Sequence, residues 1–392
     1  MPQDPASGAA RSLRTICEFL SASGMEVAAL GTTASESGGE SDALNFLSAA
    51  LPAVQIASSP LAPGQTPVFR FDDKGISYTL LHTGGNLTDW ERRFGDQFDR
   101  LYDEILRTFK PHIVFTYGGQ PPEIARRKRA REHGCAVVFG LRNLGYLSPD
   151  AFEHIDAILT GSHFVTDRYR QAIGIESTPL PLPLDPQEVL APKHERIFIT
   201  CINPSIEKGV MFVARLAEEL SLRRPDIPML IVESRGTGGL LVSAGLLGGF
   251  DLRRHENLMF CPAVARPAEI YALARIVIVP SVWEEPAGRV AAEALANGIP
   301  PLVSDRGGLA EVCGSGGFVL PLPNDLTLHT KAPVSAAAVE PWLDLLVRLT
   351  DDAEFYAAAC RRAADAAIAY RSERVAPQYV EFFNQLRESS RE

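Results

Sequence analysis

The stretch Arg275–Gly298, "RIVIVPSVWEEPAGRVAAEALANG", contains a strand, a turn and a helix in one short run. Its opening, "RIVIVPS", is β-branched and carries no charge after Arg275, the pattern of a strand covered on both faces. Pro286 and Gly288 interrupt it, and "RVAAEALA" then reads as a helix that Asn297-Gly298 closes. A buried strand that turns directly into a helix is half of a βαβ unit. The first-turn amides of such a helix have no internal partner and sit at the positive end of the dipole, which makes them an anion site. Gly288 lets a bulky group approach those amides. Glu285 and Glu293 lie eight positions apart. Glu285 is also explained as a favourable charge near a helix start. Glu293 lies among Val290, Ala291, Ala292, Ala294 and Leu295, where an idle carboxylate is costly. With the helix opening near Pro286, Glu293 falls about two turns in, roughly 9 Å along the axis. A carboxylate there is placed to accept hydrogen bonds from a vicinal diol such as a ribose.

The same strand–helix rhythm extends outward in both directions. "RIFITC", "MLIVE", "NLMF" and "PPLVS" are further strands of the second half, with helical patterns between them. In the first half "MEVAALG", "HIVFTY", "AVVFGL" and "AILTG" are strands. "PVFRFDDKGISYTLLHT" is a hairpin turning at Asp73–Gly75. "SGAARSLRTICEFLSASG" is a helix on the spacing of Leu13, Ile16, Cys17 and Leu20. "TDWERRFGDQFDRLYDEILRTFK" is another, opened by a Thr88/Glu91 capping box. The expected class is α/β, with two Rossmann-like parallel-sheet domains. The proline-rich "STPLPLPLDPQ" (Ser177–Gln187) cannot continue a sheet or helix and is taken as the linker. The expected division is 1–185, 186–372 and a closing helix at 373–392. The chain opens in a loop and a helix where an open α/β domain normally opens in a strand. Two readings follow: a first strand is missing upstream of Met1, or the domain simply begins with a helix.

Bulk composition narrows the function. The 392 residues suit two or three domains, and 46% hydrophobic with 22% charged content marks a globular chain. A net charge of −10 argues against a nucleic-acid partner, which needs basic surface. No apolar run approaches a membrane span and no signal core precedes the first helix. The six cysteines have no metal spacing and read as reduced core residues of a cytoplasmic protein. Five of the residues in "ARRKRAREHG" (Ala125–Gly134) are basic. Such a run is usually a solvated helix face. Its second reading, over Arg126–Arg131, is peripheral docking to anionic lipid headgroups at the inner membrane face.

Ligands of open α/β sheets bind beyond the carboxyl ends of the strands. The candidate residues there are Gly31–Thr33, Tyr117-Gly118-Gly119 and Arg142-Asn143 in the first half. In the second they are Asn203, Glu233–Arg235, Cys261–Val264, Ser281–Glu285 and Ser304–Gly308. Two such sheets with facing strand ends would enclose a cleft. Lys208, before Gly209 and the helix "VMFVARLAEELS", works against the helix dipole, a cost that an anion in the site would offset. The Gly307-Gly308 pair and "SGAARS" (Ser7–Ser12) are further places of close backbone approach. No GxGxxG follows a strand, and GxxxxGK[ST] and GxSxG do not occur.

These residues resemble the retaining GT-B glycosyltransferases of family four, the group 1 transferases. The resemblance rests on the E-x7-E pattern of Glu285 and Glu293 and on the Lys208-Gly209 loop, and is specific over roughly residues 195–320. It implies that Glu285 contacts hydroxyls of a donor sugar and Glu293 the ribose. Lys208 would neutralise the leaving diphosphate, helped by amides near Gly288 and Arg289. The Cys261–Val264 loop would hold the nucleobase, and the Gly8-Ala9 loop would face the diphosphate from the N-terminal side. No cofactor or metal is implied, since lysine and amides supply the charge. The partners implied are a nucleotide-sugar donor and a hydroxyl acceptor: glycan, lipid or small molecule. The function implied is retaining transfer of a hexose-type sugar. The alternatives are a GT-B epimerase or sugar-phosphate synthase, or a non-catalytic nucleotide-sugar binder. The sequence departs from the family twice. "CINPSIEK" carries Asn203 and no basic residue before Lys208, and "VVFGLRNLGY" offers Arg142 and Asn143 where a histidine is common. Arg142 is a candidate for the missing positive charge; its other reading is a surface arginine at a strand end.

Overall fold

The computed structural model describes residues 4, 7–34, 45, 47–48, 51–59, 64–84 and 89–389. The chain divides into two compact units. One comprises Met1–Gly161, Thr166–Pro183 and Val375–Glu392, the other Ser162–Val165 and Leu184–Arg374.

The second unit is built on one six-stranded, wholly parallel sheet. Its strands are β9 (Phe198–Ile202), β10 (Met229–Val232), β11 (Leu258–Cys261), β12 (Ala274–Val279), β13 (Pro301–Ser304) and β14 (Phe318–Leu320). The order is β11-β10-β9-β12-β13-β14, so the winding reverses between β9 and β12. That reversal is the switch point at which open sheets bind ligands. All four residues of β10 are buried, as expected for a strand with helices on both faces. Phe212 and Trp342, from the helices Val210–Arg223 and Ala336–Asp351, meet edge to face at 5.3 Å in this core. β14 has no counterpart among the expected strands. It is three residues long and only partly buried, too short for a periodic pattern.

The first unit holds two four-stranded sheets. β5 (Ile113–Thr116), β6 (Ala136–Gly140), β7 (Ala157–Thr160) and β8 (Thr178–Pro179) run parallel. The other sheet is mixed. β1 (Val27–Thr32) is parallel to β4 (Ile76–Leu81), which forms the expected hairpin with β3 (Val68–Asp73); β2 (Ala57–Ser58) pairs with β3. The hairpin turns on Lys74 and Gly75, both with positive φ, the conformation a two-residue primed turn demands. The closing helix Ser372–Ser389 buries Val375, Tyr379 and Phe383 against Ile16, Leu20, Val138 and Leu159 of this unit.

Three local expectations are corrected. The proline-rich stretch does continue a sheet: Thr178 and Pro179 pair with Leu159 and Thr160. β8 is an edge strand, where proline's missing donor costs no ladder bond. Asp185 then caps a helical turn, Pro186–Val189. The basic run is only in part a solvated face: Lys128 and Arg131 are exposed, but Arg126 and Arg127 are buried. Arg126 pairs with Glu91 and Asp99, Arg129 with Asp99 and Asp103, and Arg131 with Asp156. Arg127 is buried, donates to the Ala151 carbonyl and lies over the Phe139 ring, and burial lowers its pKa. Finally, the helix after β12 begins at Arg289, so Glu293 lies one turn in rather than two. Thr88 of the expected capping box lies outside the described residues.

Candidate functional site

At the switch point the loops following β9 and β12 meet. Lys208, from the first, forms an ion pair with the Oε1 carboxylate oxygen of Glu285, from the second. The same oxygen accepts the Ser281 hydroxyl at 2.7 Å, and the Ser304 hydroxyl donates to the Ser281 carbonyl at 2.7 Å. Glu285 is 6% exposed and both serines are fully buried. β12, β13 and the Lys208 loop are thus tied through one carboxylate. The anion expected beside Lys208 is therefore supplied within the chain. Cys201, in β9, is pushed up to about 12 by burial, against the pull of the Lys208 charge. It stays a neutral thiol and does not compete for the lysine.

Glycines let these loops approach. Gly209 caps the helix Val210–Arg223 in the left-handed region, and a Cβ there would lie 2.2 Å from the Pro280 carbonyl oxygen. Gly307 also has positive φ, and a Cβ on it would lie 2.4 Å from the Glu285 nitrogen and oxygen. Glu285 and Gly307 form a parallel bridge, and Gly308 N–H donates to the Glu285 carbonyl at 2.7 Å. The Gly-Gly pair therefore makes room for the Glu285 backbone. Gly288 is the left-handed cap of the helix Arg289–Ala296, and a Cβ on it would meet Leu309 Cδ2 at 2.5 Å.

Glu293 is 3% exposed and not idle. Arg289 Nε donates to its Oε1 at 2.8 Å, and the buried Tyr271 hydroxyl donates to Oε2 at 2.8 Å. Its burial is thus compensated inside the fold. Tyr271 was not anticipated, and its place in an ordinary helical pattern, 22 positions before Glu293, gave no signal. Ser281 carries one: a hydroxyl four positions before the carboxylate it bonds.

Asn203 adopts positive φ and its Oδ1 accepts Gly236 N–H at 2.7 Å, so it joins the loops after β9 and β10. The Cys261 carbonyl accepts Glu233 N–H at 2.8 Å, and Val264 packs with Leu230, Val232 and Ile270. Gly8 and Ala9 open the helix Gly8–Ala22 of the first unit, where the Ser7 hydroxyl accepts Ala10 N–H. Arg142 lies two residues beyond β6 in the same unit. Its Nε, Nη1 and Nη2 are all buried without a hydrogen-bond partner, unlike a surface arginine. Among the described residues no group of three or more His, Cys, Asp or Glu could hold a metal ion, and no helix is long and apolar enough to cross a membrane.

A doubly wound parallel sheet with a charged pair at its switch point defines a Rossmann-type ligand-binding unit. Residues 184–331 match the family described as glycosyl transferases group 1. A curated relative, spore coat protein SA of Bacillus subtilis (strain 168), is 28% identical over 133 residues, 29% of this chain. The match spans only about a third of that relative, 35% of its length. Sucrose-phosphate synthase from Thermosynechococcus elongatus superposes with a TM-score of 0.68 at 15% identity, over 99% of this chain and 98% of that one. Anabaena HepE, solved in complex with UDP and glucose, gives 0.61 at 16% identity, over 97% and 95%. At these identities the likeness shows the fold: α/β, of GT-B type, with two Rossmann-like domains.

Proposed function

We propose that this chain transfers a hexose-type sugar from a nucleoside-diphosphate sugar to a hydroxyl acceptor, with retention at the anomeric carbon. The observation that carries the reading is the Lys208–Glu285 pair at the switch point, inside the segment that matches the transferase family. Anabaena HepE, solved in complex with UDP and glucose, supports a sugar nucleotide as donor. In this reading Glu285 accepts hydrogen bonds from donor-sugar hydroxyls, and Lys208 turns toward the diphosphate as it leaves. Glu293, steadied by Arg289 and Tyr271, uses its remaining lone pairs for the ribose. The nucleobase lies against backbone groups of the Cys261–Val264 loop. Gly8 and Ala9 offer amides to the diphosphate, since the Ser7 oxygen is spent on Ala10. Arg142, a buried cation without a partner, is suited to an anion on the acceptor side.

The chemistry follows from charge. As the glycosidic C–O bond breaks, negative charge develops on the phosphate, and Lys208 with the uncapped amides near Gly288 and Arg289 stabilises it. The acceptor hydroxyl attacks from the same face and gives its proton to a departing phosphate oxygen. No resident metal enters this scheme, so a chelator should leave turnover unchanged. The test begins with a thermal-shift screen of UDP, GDP and ADP and their sugars. The right nucleotide at 100 times its dissociation constant adds about 2.7 kcal/mol. NMR of the product must then show a retained anomeric configuration; inversion overturns the mechanism, and the absence of any nucleotide shift overturns the donor reading.

A further inference from the structure

Guanidinium groups packed into the first unit are usually matched. Arg126 and Arg129 pair with carboxylates of the helix Trp90–Thr108, and Arg127 has the Ala151 carbonyl and the Phe139 ring. Arg142 departs from this. Its Nε, Nη1 and Nη2 are all buried, and none has a hydrogen-bond partner. Among the described residues no other arginine has all three guanidinium nitrogens in that state, and none of those residues forms an ion pair with Arg142.

The chain nevertheless fixes where this cation lies. Leu141 N–H donates to the Leu159 carbonyl at 2.8 Å, which ties β6 to β7 just before Arg142. Just after it, the Tyr169 hydroxyl donates to the Asn143 carbonyl at 3.1 Å, and Asn143 Oδ1 accepts Gly145 N–H at 2.8 Å. Both neighbours are held while the side chain between them is bonded to nothing. The position is the carboxyl end of β6 in a parallel sheet, where open α/β sheets take ligands. The residue as a whole stays partly exposed, so the guanidinium lies just beneath the surface and a turn of its stem brings it out.

Such a group is costly to the fold. A lysine in an apolar site sheds its proton, whereas an arginine stays charged. A buried charge without a counter-group is strongly destabilising. Two things offset it: a carboxylate of the chain, which Arg142 lacks, or an anion brought by a ligand. We propose that the hydroxyl acceptor carries an oxyanion, a carboxylate or a phosphate monoester, and that Arg142 binds it. This rests on the transferase reading above and narrows its acceptor to an anionic hydroxy compound, excluding neutral glycans and uncharged lipids. The guanidinium fork matches two oxygens of either group at once, so it orients the acceptor by its charged end and leaves the hydroxyl free to react.

The test is calorimetric titration of the full chain with glucose 6-phosphate, glucuronate and glucose, one ring bearing a phosphate, a carboxylate or neither, and with inorganic phosphate. Wild type, Arg142→Met and Arg142→Lys are compared, with and without UDP, GDP or ADP to fill the donor site. Wild type should bind at least one charged probe, and glucose roughly tenfold or more weakly than that probe. Arg142→Met should bind the same probe roughly 10- to 100-fold more weakly than wild type, the size of a lost charge-assisted bond. Arg142→Lys should fall between, having the charge without the fork. Whether the phosphate or the carboxylate probe binds more tightly names the anion. Nucleotide affinity should be unchanged in both variants. The melting temperature of ligand-free Arg142→Met should rise, because an unpaired buried charge is gone; an arginine with a structural role would make it fall. The proposal is overturned if wild type binds no charged probe more tightly than glucose, or if Arg142→Met binds it within about twofold as tightly. Wild type that binds nucleotides but no oxyanion removes this proposal alone. Wild type that binds an oxyanion through Arg142 but no nucleotide keeps the site and removes the transferase reading.

Discussion

Two kinds of helix start occur in this molecule. In the first unit the helix at Gly8 is capped by the Ser7 hydroxyl, and at Pro121–Glu132 the Glu123 carboxylate accepts the Gln120 N–H at 3.0 Å. In the second unit the two helices that begin at the switch point, at Val210 and Arg289, are preceded by left-handed glycines. They have neither a side-chain cap nor an acidic residue in the first turn. Their neighbour Gly238–Leu247 is capped by Thr237, whereas Ala336–Asp351, elsewhere in the unit, also starts without a side-chain cap or an acidic first turn. A bare start at a sheet's switch point is unfinished electrostatically, and an anionic ligand completes it.

The largest effect should come from the carboxylate between those two starts. Glu285→Gln keeps the shape and the Ser281 bond but removes the charge that pairs Lys208. Turnover of a sugar nucleotide should fall roughly 10²- to 10³-fold, read in single-turnover assays, with the fold intact by circular dichroism. A variant retaining about a tenth of wild-type rate would sever the link between this pair and the chemistry.

Next in size is Gly307→Ala. Gly307 has positive φ, and the new Cβ would press on the Glu285 backbone. Strain of this kind costs about 1–3 kcal/mol, to be read as a lower denaturation midpoint, and activity should fall further than stability because Glu285 itself is displaced. A well-folded, fully active variant would show that the Glu285 loop tolerates displacement.

How much of this was legible beforehand depends on the range of the interaction. The strands around the switch point and the Lys208 and Glu285 loops could be read from β-branched runs, glycines and one motif, all local signals. The partners of Glu293 and of the arginine run could not. Tyr271 reaches Glu293 from another helix 22 positions earlier, and Glu91 lies 35 positions before Arg126; only Arg289, four positions before Glu293 on the same helix, is a local partner. A basic run in an acidic chain looks like a free charged face until tertiary packing supplies its counter-groups. At Gly307-Gly308 the close approach is there, and the backbone that makes it is the chain's own.

The smallest prediction probes the capped side of the comparison. Ser7→Ala removes the hydroxyl that accepts Ala10 N–H, and the lost cap should cost about 1 kcal/mol, within the usual range of 0.5–2. Gly8 and Ala9, the amides proposed to face the diphosphate, are not the ones Ser7 occupies. The affinity for the nucleoside diphosphate should therefore move by less than about twofold, within the error of titration, while the melting temperature falls. If the affinity instead rises clearly, the serine oxygen was competing with the ligand for one set of amides, and the helix at Gly8 belongs with the bare starts after all. If it falls by tenfold or more, Ser7 itself contacts the phosphate, and the division between capped structural starts and bare binding starts fails at its first-unit member.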